Sequence, residues 1–282
     1  MKVFSYDESG KRKSIGFDCF QFAGGEEHIR FESFQASGLE KCEIVVRITN
    51  SSALIRLLLA VDALKQMTEE RVPIELVMPY FPYARQDRVC VIGEAFGAKV
   101  MAELINRMQL EKVTIWDAHS DVSPALINRV HNVAQSELIA KIDDLRAHLS
   151  SGELLLVSPD AGASKKTMAI AKHFEGVPQV VQAQKIRCPK TGEILETKIL
   201  GNVSGKSVLI ADDICDGGRT FIELAKVLKQ QGVDQVYLFV THGIFSKGIE
   251  VFEGLIDKVY TTDSFRPKSQ YPQTNMLNVL EF

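Results

Sequence analysis

Short apolar runs alternate with amphipathic stretches along this chain. The apolar runs predict buried strands at 43–48, 73–78, 112–116, 153–157, 178–182, 206–211 and 235–240. Between them, apolar residues recur at helical spacing, as Leu54, Leu57 and Val61 do. That spacing predicts helices at 51–68, 94–109, 135–149, 163–174 and 218–231. Strands that alternate with helices indicate an α/β fold with mostly parallel sheets flanked by helices.

The alternation of strand and helix occurs twice, before and after about residue 133. We therefore predict two similar α/β domains, 1–133 and 134–282, which no low-complexity linker separates. In open α/β sheets, ligands bind beyond the carboxyl ends of the strands. Residues that carry chemistry are thus expected directly after the predicted strands.

Composition narrows the class of protein. The 282 residues are 45% hydrophobic and carry a net charge of −3 without a basic stripe, which disfavours a nucleic-acid partner. No apolar run has the length of a membrane span, and the N-terminus lacks the apolar run of a signal peptide. Five scattered cysteines without a C-x-x-C pair argue against disulfides and zinc, and predict a reducing, cytoplasmic location.

The most informative segment is VLIADDICDGGRT at 208–220. An apolar strand leads into Asp212 and Asp213, and a glycine turn then opens a helix. The amides of such a turn and the positive end of the helix suit a phosphate, while the acids suit ribose hydroxyls or the water shell of a metal. The competing interpretation is a surface turn with acids that cap the helix.

Two further segments end predicted strands with polar residues. SPDAGASKK at 158–166 joins Asp160 to small residues and two lysines, although an ordinary helix cap explains it equally well. Asp117 and His119, in DAHS, stand two apart and point the same way if the strand geometry persists. They are candidates for Mg²⁺ or a phosphate oxygen, although Mg²⁺ prefers oxygen ligands and a lone His is more often structural.

Two segments carry arginine. YFPYARQDR at 80–88 sets aromatic rings beside Arg85 and Arg88, which suits a purine and its phosphates. QKIRCPKTGE at 184–193 is interpreted as a polar loop between strands, in which Lys185 and Arg187 neutralise a phosphoryl group in transfer. Solvated loops are the alternative for both segments.

Six segments in collinear order resemble the ribose-phosphate diphosphokinase (PRPP synthetase) family. The matching segments are YFPYARQDR at 80–88, DAH at 117–119, SPDAGA at 158–163, KIR at 185–187, DDICDGGRT at 212–220 and THGIFS at 241–246. The resemblance implies two phosphoribosyltransferase-like domains. It also implies Mg²⁺-dependent transfer of the β,γ-diphosphoryl group of ATP to the anomeric hydroxyl of ribose 5-phosphate.

The same resemblance implies roles for individual residues. The N-terminal domain would be the ATP side and the C-terminal domain the ribose-phosphate side. Lys185 and Arg187 would be catalytic, and His119 and Asp160 would position Mg²⁺. ATP would be bound by Phe22, Glu26, Arg85, Gln86 and Arg88, and the ribose phosphate by Asp212, Asp213, Asp216, Gly217, Gly218, Arg219 and Thr220. Phe22 and Glu26 match a segment that completes the ATP site across a subunit interface, so a homo-oligomer, a dimer or a hexamer, is implied.

Some positions depart from the family pattern. The turn reads DGGRT where the family usually has D-T-x-G-T, so Gly217 lacks a hydroxyl and Arg219 adds bulk and charge. A larger acceptor is therefore an alternative, namely the terminal ribose of ADP-ribose in NAD⁺ resynthesis. Two other classes also remain open. A phosphoribosyltransferase would consume PRPP, and a PRPP-synthetase-associated regulatory protein would be inactive, although the presence of Lys185 and Arg187 favours activity.

Overall fold

The computed structural model describes residues 1–159, 162–187 and 194–281, which form two compact units, Met1–Val133 and Ala134–Phe282. The first unit contains β1 (Lys2–Asp7), β2 (Arg12–Ser14), β3 (Phe17–Gln21), β4 (Glu27–Phe31), β5 (Leu39–Val45), α1 (Ser51–Met67), β6 (Ile74–Val77), α2 (Gly97–Arg107), β7 (Lys112–Trp116), α3 (Val122–Leu126) and β8 (Val130–Val133). No helix in the described ranges has the length and apolar character that crossing a membrane requires.

The second unit begins with two helices and then builds a larger sheet. Its elements are α4 (Gln135–Ala140), α5 (Asp143–Ser151), β9 (Leu154–Ser158), α6 (Ser164–His173), β10 (Val180–Arg187), β11 (Ile194–Leu200), β12 (Ser207–Cys215), α7 (Arg219–Gln230), β13 (Gln235–Gly243), β14 (Lys258–Thr262) and β15 (Leu277–Leu280). Short 3₁₀ helices span Glu250–Phe252 and Lys268–Gln270.

Both main sheets are mostly parallel, which confirms the predicted fold class. The first has the strand order β2-β1-β5-β6-β7-β8, in which β5 to β8 run parallel and β1 is antiparallel to β2 and β5. The second has the order β11-β10-β9-β12-β13-β14-β15, in which the β10–β11 pair is antiparallel. Parallel neighbours end at the same edge, so the segments after β6 and β7 leave the first sheet side by side, and those after β12 and β13 leave the second sheet in the same way.

Helix α1 shows how the sequence specifies an element. The side chain of Asn50 accepts a hydrogen bond from the amide of Ala53 at 2.9 Å, which caps the helix at its start. The residues at helical spacing, Leu57, Ala60, Val61 and Leu64, are buried against the first sheet. The apolar spacing therefore located this helix to within a residue at each end.

The helix predicted at 135–149 is instead two helices. The amides of Lys141 and Ile142 donate to carbonyls three residues back, and Ile142 is then extended (φ −95°, ψ 104°). Asp143 and Asp144 fill the first turn of α5, where the helix dipole favours acids. The prediction was wrong because the apolar spacing continues through the break, whereas the break itself is a property of the backbone.

Two boundaries near the candidate chemistry also differ from the prediction. The strand predicted at 206–211 continues to Cys215, since it stays in register with β13 as far as Gly243. The segment that begins at Gln184, interpreted as a loop, is strand through Arg187, because β10 pairs with β11 there. Both strand extensions contain polar residues, so a prediction based on apolar runs ended β12 too early and did not include the end of β10.

Candidate functional site

In the first unit, the segments that follow β6 and β7 share the carboxyl edge of the sheet. Phe81 and Ala84 are buried and anchor the loop after β6, while Arg85, Gln86 and Arg88 are exposed. The carbonyl of Gln86 accepts a hydrogen bond from the amide of Ala98 at 3.1 Å, which ties the loop to the start of α2. The loop thus presents its polar side chains on an apolar anchor.

Asp87, between these residues, is buried, and its carboxylate accepts hydrogen bonds from Nε and an Nη of Arg88 at 2.7 and 3.0 Å. The Ser120 hydroxyl also bonds to it, so Asp87 links the loop after β6 to the segment after β7. The hydrogen bonds from Arg88, followed by the bond from Ser120, lower the pKa of Asp87 to about 2. Asp87 therefore stays ionised and holds Arg88 in place.

We expect Asp87→Asn to destabilise the protein in a pH-dependent way. The folded pKa of Asp87 is depressed, so its contribution to stability is present above its ordinary pKa of about 3.9 and is lost as pH falls toward about 2. Thermal unfolding should show a lower Tm for the variant near pH 7 and a gap that narrows below about pH 4. A gap that stays constant with pH would contradict this role, and Asp18→Asn, at an exposed acid in the same unit, is the control.

The segment after β7 does not continue as a strand. Asp117 has φ 41° and is buried, whereas His119 is exposed. The strand geometry that would align their side chains therefore ends at Trp116. The amide of Ala118 donates to the side chain of Asn132 at 3.1 Å, which fixes the turn against β8.

The hairpin of β3 and β4 carries Phe22 and Glu26 at its exposed tip. The amide of Phe22 donates to the carbonyl of Glu26 at 2.8 Å, and the Phe22 ring lies 5.5 Å from the His28 ring. Glu27 accepts from Nε of Arg56 on α1 at 2.5 Å, and this hydrogen bond lowers the pKa of Glu27. The hairpin is therefore fixed on α1 while half of the Phe22 side chain faces solvent.

In the second unit, Asp212 and Asp213 lie near the C-terminal end of strand β12. Asp213 is buried, and one of its oxygens lies 3.9 Å from Nζ of Lys166 on α6. Burial, followed by the charge of Asp213, raises the pKa of Asp212. The Asp212 carbonyl accepts from Nε2 of the buried Gln135 at 2.7 Å, which fixes the backbone of the pair.

The turn after β12 is built on glycine. Gly218 has φ +75°, and a Cβ there would stand 2.7 Å from the buried Phe252 ring. The Gly218 carbonyl accepts from the amides of Phe221 and Ile222 as α7 begins at Arg219. Asp216, Arg219 and Thr220 are exposed around this turn. The turn thus offers amides and a helix N-terminus, which is an arrangement that binds anions.

The segment after β13 lies against the same turn. The amides of Ile244 and Phe245 donate to the carbonyl of Cys215 at 2.9 and 3.1 Å, and the amide of Ser246 donates to the carbonyl of Asp216 at 3.1 Å. The end of β13 therefore supports the glycine turn through backbone hydrogen bonds.

Strand β10 continues past the end of its parallel neighbour β9. Its pairing with β9 stops at Gln182 opposite Ser158, whereas its pairing with β11 continues to Arg187 opposite Ile194. The backbone of Lys185 and Arg187 therefore lies in a hairpin that extends beyond the carboxyl edge of β9. Asp160, which was predicted to position Mg²⁺ together with His119, lies outside the described residues.

The described residues contain no group of three or more His, Cys, Asp or Glu side chains arranged to hold an ion. Mg²⁺ is often held by substrate phosphates and one or two protein carboxylates, so it does not need such a group. Among the described residues of the second unit, the paired carboxyls of Asp212 and Asp213 are donors of a kind that suits it. Asp117 and His119 remain the candidates in the first unit.

Two residues that support the candidate binding residues, Asp87 in the first unit and Gln135 in the second, were not predicted from the sequence. Asp87 lies inside the RQDR segment, in which only its neighbours were predicted to bind ATP. Its burial and its hydrogen bonds with Arg88 show that it orients that arginine. Gln135 lies 77 residues from the backbone that it supports, and no local pattern signals such a contact.

Family profiles match both halves of the chain. Residues 11–108 match the N-terminal domain of ribose phosphate pyrophosphokinase, and residues 159–281 match the phosphoribosyl synthetase-associated domain. A solved phosphoribosylpyrophosphate synthetase from Mycobacterium smegmatis superposes with a TM-score of 0.78 and 23% identity, over 95% of this chain and 86% of that one. That superposition supports the fold.

Curated relatives share more of the sequence. A ribose-phosphate pyrophosphokinase of Cereibacter sphaeroides is 33% identical over 80% of this chain and 67% of its own length. A protein with the same name from Maricaulis maris is 32% identical over 84% and 74%, respectively. One from Mycoplasma pneumoniae is 29% identical over 93% and 79%.

Proposed function

Because the chain belongs to the ribose-phosphate pyrophosphokinase family, we propose that it transfers the β,γ-diphosphoryl group of ATP to the anomeric hydroxyl of ribose 5-phosphate. The products are PRPP and AMP. The observation that carries the proposal is the carboxylate pair and glycine turn at the end of β12, in a chain 33% identical to a named ribose-phosphate pyrophosphokinase. The carboxylates suit ribose hydroxyls, and the turn suits the 5-phosphate.

In the second unit, we assign the acceptor to Asp212, Asp213 and the turn through Thr220. The amides of the turn and the N-terminus of α7 bind the 5-phosphate, and the carboxylates accept hydrogen bonds from the ribose hydroxyls. This arrangement holds the anomeric oxygen still, and positioning of this kind supplies much of the catalysis of phosphoryl transfer.

In the first unit, we assign ATP to Phe22, Glu26, Arg85, Gln86 and Arg88. Arg88 is already oriented by Asp87, so less side-chain conformational entropy is lost when its guanidinium binds a phosphate. Phe22 and Glu26 sit at an exposed hairpin tip, which suits a contribution to the ATP site of another subunit in a homo-oligomer.

Lys185 and Arg187 are proposed to stabilise the diphosphoryl group in transfer. Their backbone lies in the β10–β11 hairpin beyond the end of β9, which is suited to approach a ligand at that edge. Mg²⁺, bound to the ATP phosphates and held by His119 and Asp160, would neutralise their charge. A reducing cytoplasm suits the free thiols of Cys19, Cys42, Cys90 and Cys215.

The proposal is tested by measuring AMP release from Mg·ATP with ribose 5-phosphate and with ADP-ribose in separate reactions. We expect AMP with ribose 5-phosphate. Turnover with ADP-ribose alone would replace that acceptor and would make Arg219 the candidate specificity residue. Release of AMP in neither reaction would reject the enzymatic function and favour a regulatory relative.

A further inference from the structure

Lys247 lies beside the glycine turn at a fixed position. It follows directly on Ser246, whose amide donates to the carbonyl of Asp216 at 3.1 Å. The carbonyl of Phe245 accepts from the amide of Gly248 at 3.0 Å and so closes a tight turn around Lys247. The residues on both sides of Lys247 are thus hydrogen-bonded, which fixes the position of its backbone beside the turn.

The side chain of Lys247 occupies the space next to Gly217. A Cβ on Gly217 would stand 3.5 Å from both Cδ and Cε of Lys247, which is ordinary van der Waals contact. The lysine methylenes therefore cover the face of the turn that a side chain at 217 would otherwise occupy. Lys247 is exposed, and its ammonium group is one bond beyond Cε, so the charge lies close to the turn in this conformation.

Asp216 belongs to the same turn, but it forms no ion pair with Lys247 in the described part of the chain. Within the described ranges, neither Lys247 nor Arg219 lies within 4.0 Å of an acidic oxygen. Two cations thus flank the turn amides and the N-terminus of α7 without ion-pair partners. A phosphate dianion in the turn would complement both of them, since charge-assisted hydrogen bonds to phosphate are among the strongest in proteins.

We propose that Lys247 is a further binding residue for the phosphate of the sugar-phosphate acceptor. This inference rests on the proposed function, which assigns that phosphate to the turn at Gly217 and Gly218. Lys247 donates to the phosphate from the side of the turn next to Gly217. Arg219 is the first residue of α7. The Lys247 methylenes already lie in van der Waals range of a Cβ at position 217, so a longer side chain there would compete with Lys247 for this space.

The test uses Lys247→Met, which keeps methylenes over Gly217 and removes the charge. Titration calorimetry with ribose 5-phosphate alone should show a Kd about tenfold higher than that of the wild type. Steady-state assays should show a higher KM for ribose 5-phosphate with kcat nearly unchanged. Lys247→Arg should keep most of the affinity, because it preserves a cation that binds phosphate.

Lys206→Met is the matched control, because Lys206 is exposed and precedes the opposite end of β12. An unchanged Kd in Lys247→Met, or an equal loss in Lys206→Met, overturns the assignment of Lys247 while leaving the proposed function standing. A wild-type protein that binds no ribose 5-phosphate overturns both. Should Lys247→Met fail to fold, Lys247→Gln serves for the same comparison and the same outcomes apply.

Discussion

Replacing Asp212 and Asp213 together by asparagine should lower kcat/KM about 1,000-fold, because the pair loses its negative charge and each residue loses one acceptor oxygen for the ribose hydroxyls. The asparagine side chains nearly match the carboxyls in size, so the β12 ladder and its pairing with β13 remain. The loss should be measured as AMP release at saturating ATP. Asp234→Asn, at an exposed acid beside the opposite end of the sheet, should retain full activity.

The same double variant should remain as stable as the wild type, but its stability should depend less on pH. Burial and the charge of Asp213 raise the pKa of Asp212, so the folded protein holds more protons than the unfolded chain above the ordinary pKa of an aspartate. The free energy of unfolding of the wild type therefore falls as pH rises from the ordinary pKa of an aspartate to the raised pKa of Asp212.

Thermal unfolding measured against pH tests this point. The double variant should show a flatter dependence of Tm on pH than the wild type and a Tm at least as high in mildly alkaline buffer. A large fall in Tm at every pH would mean that the pair supports the fold instead of binding the acceptor. Retained activity would remove the pair from the site.

Gly218→Ala is expected to destabilise the protein by about 2–4 kcal/mol, which combines left-handed backbone strain with overpacking. Gly218 has φ +75°, and its added Cβ would stand 2.7 Å from Cζ and 2.9 Å from Cε1 of Phe252. Phe252 is fully buried in the core of the second unit, so a shift of its ring would disturb the side chains packed around it. The shifted turn should also raise KM for ribose 5-phosphate.

Gly254→Ala separates the two causes, because Gly254 has φ +74° and a Cβ there would meet no atom within 4 Å. That variant should lose only the backbone part, about 1 kcal/mol, as measured by denaturant unfolding. Equal losses at both positions would show that contact with Phe252 does not shape the turn.

The sequence predicted those parts of the fold that depend on apolar pattern. Strands β9, β12 and β13 have buried interiors and were located within a few residues of their starts, as was α1. Strands β2 and β3 are largely exposed and carry no apolar run, so they were missed. The predicted helix at 135–149 failed because its apolar spacing continues across a backbone break at Ile142.

The candidate site was predictable where one short segment carries a phosphate turn or an acid pair. The contacts that organise it come from elsewhere in the chain. Gln135 supports Asp212, Phe252 shapes Gly218, and the side chain of Lys247 covers Gly217. Such contacts arise from the tertiary fold, and no residue spacing within a single segment reveals them.

The central claim is diphosphoryl transfer to the anomeric oxygen of ribose 5-phosphate. Phosphorus NMR of the wild-type protein with Mg·ATP and ribose 5-phosphate tests it most directly, because the spectrum shows which groups are transferred and where. We predict that AMP appears together with a diphosphate attached to C1 of the sugar phosphate. Formation of ADP with a singly phosphorylated sugar, or an unchanged spectrum of ATP and ribose 5-phosphate, would contradict the claim.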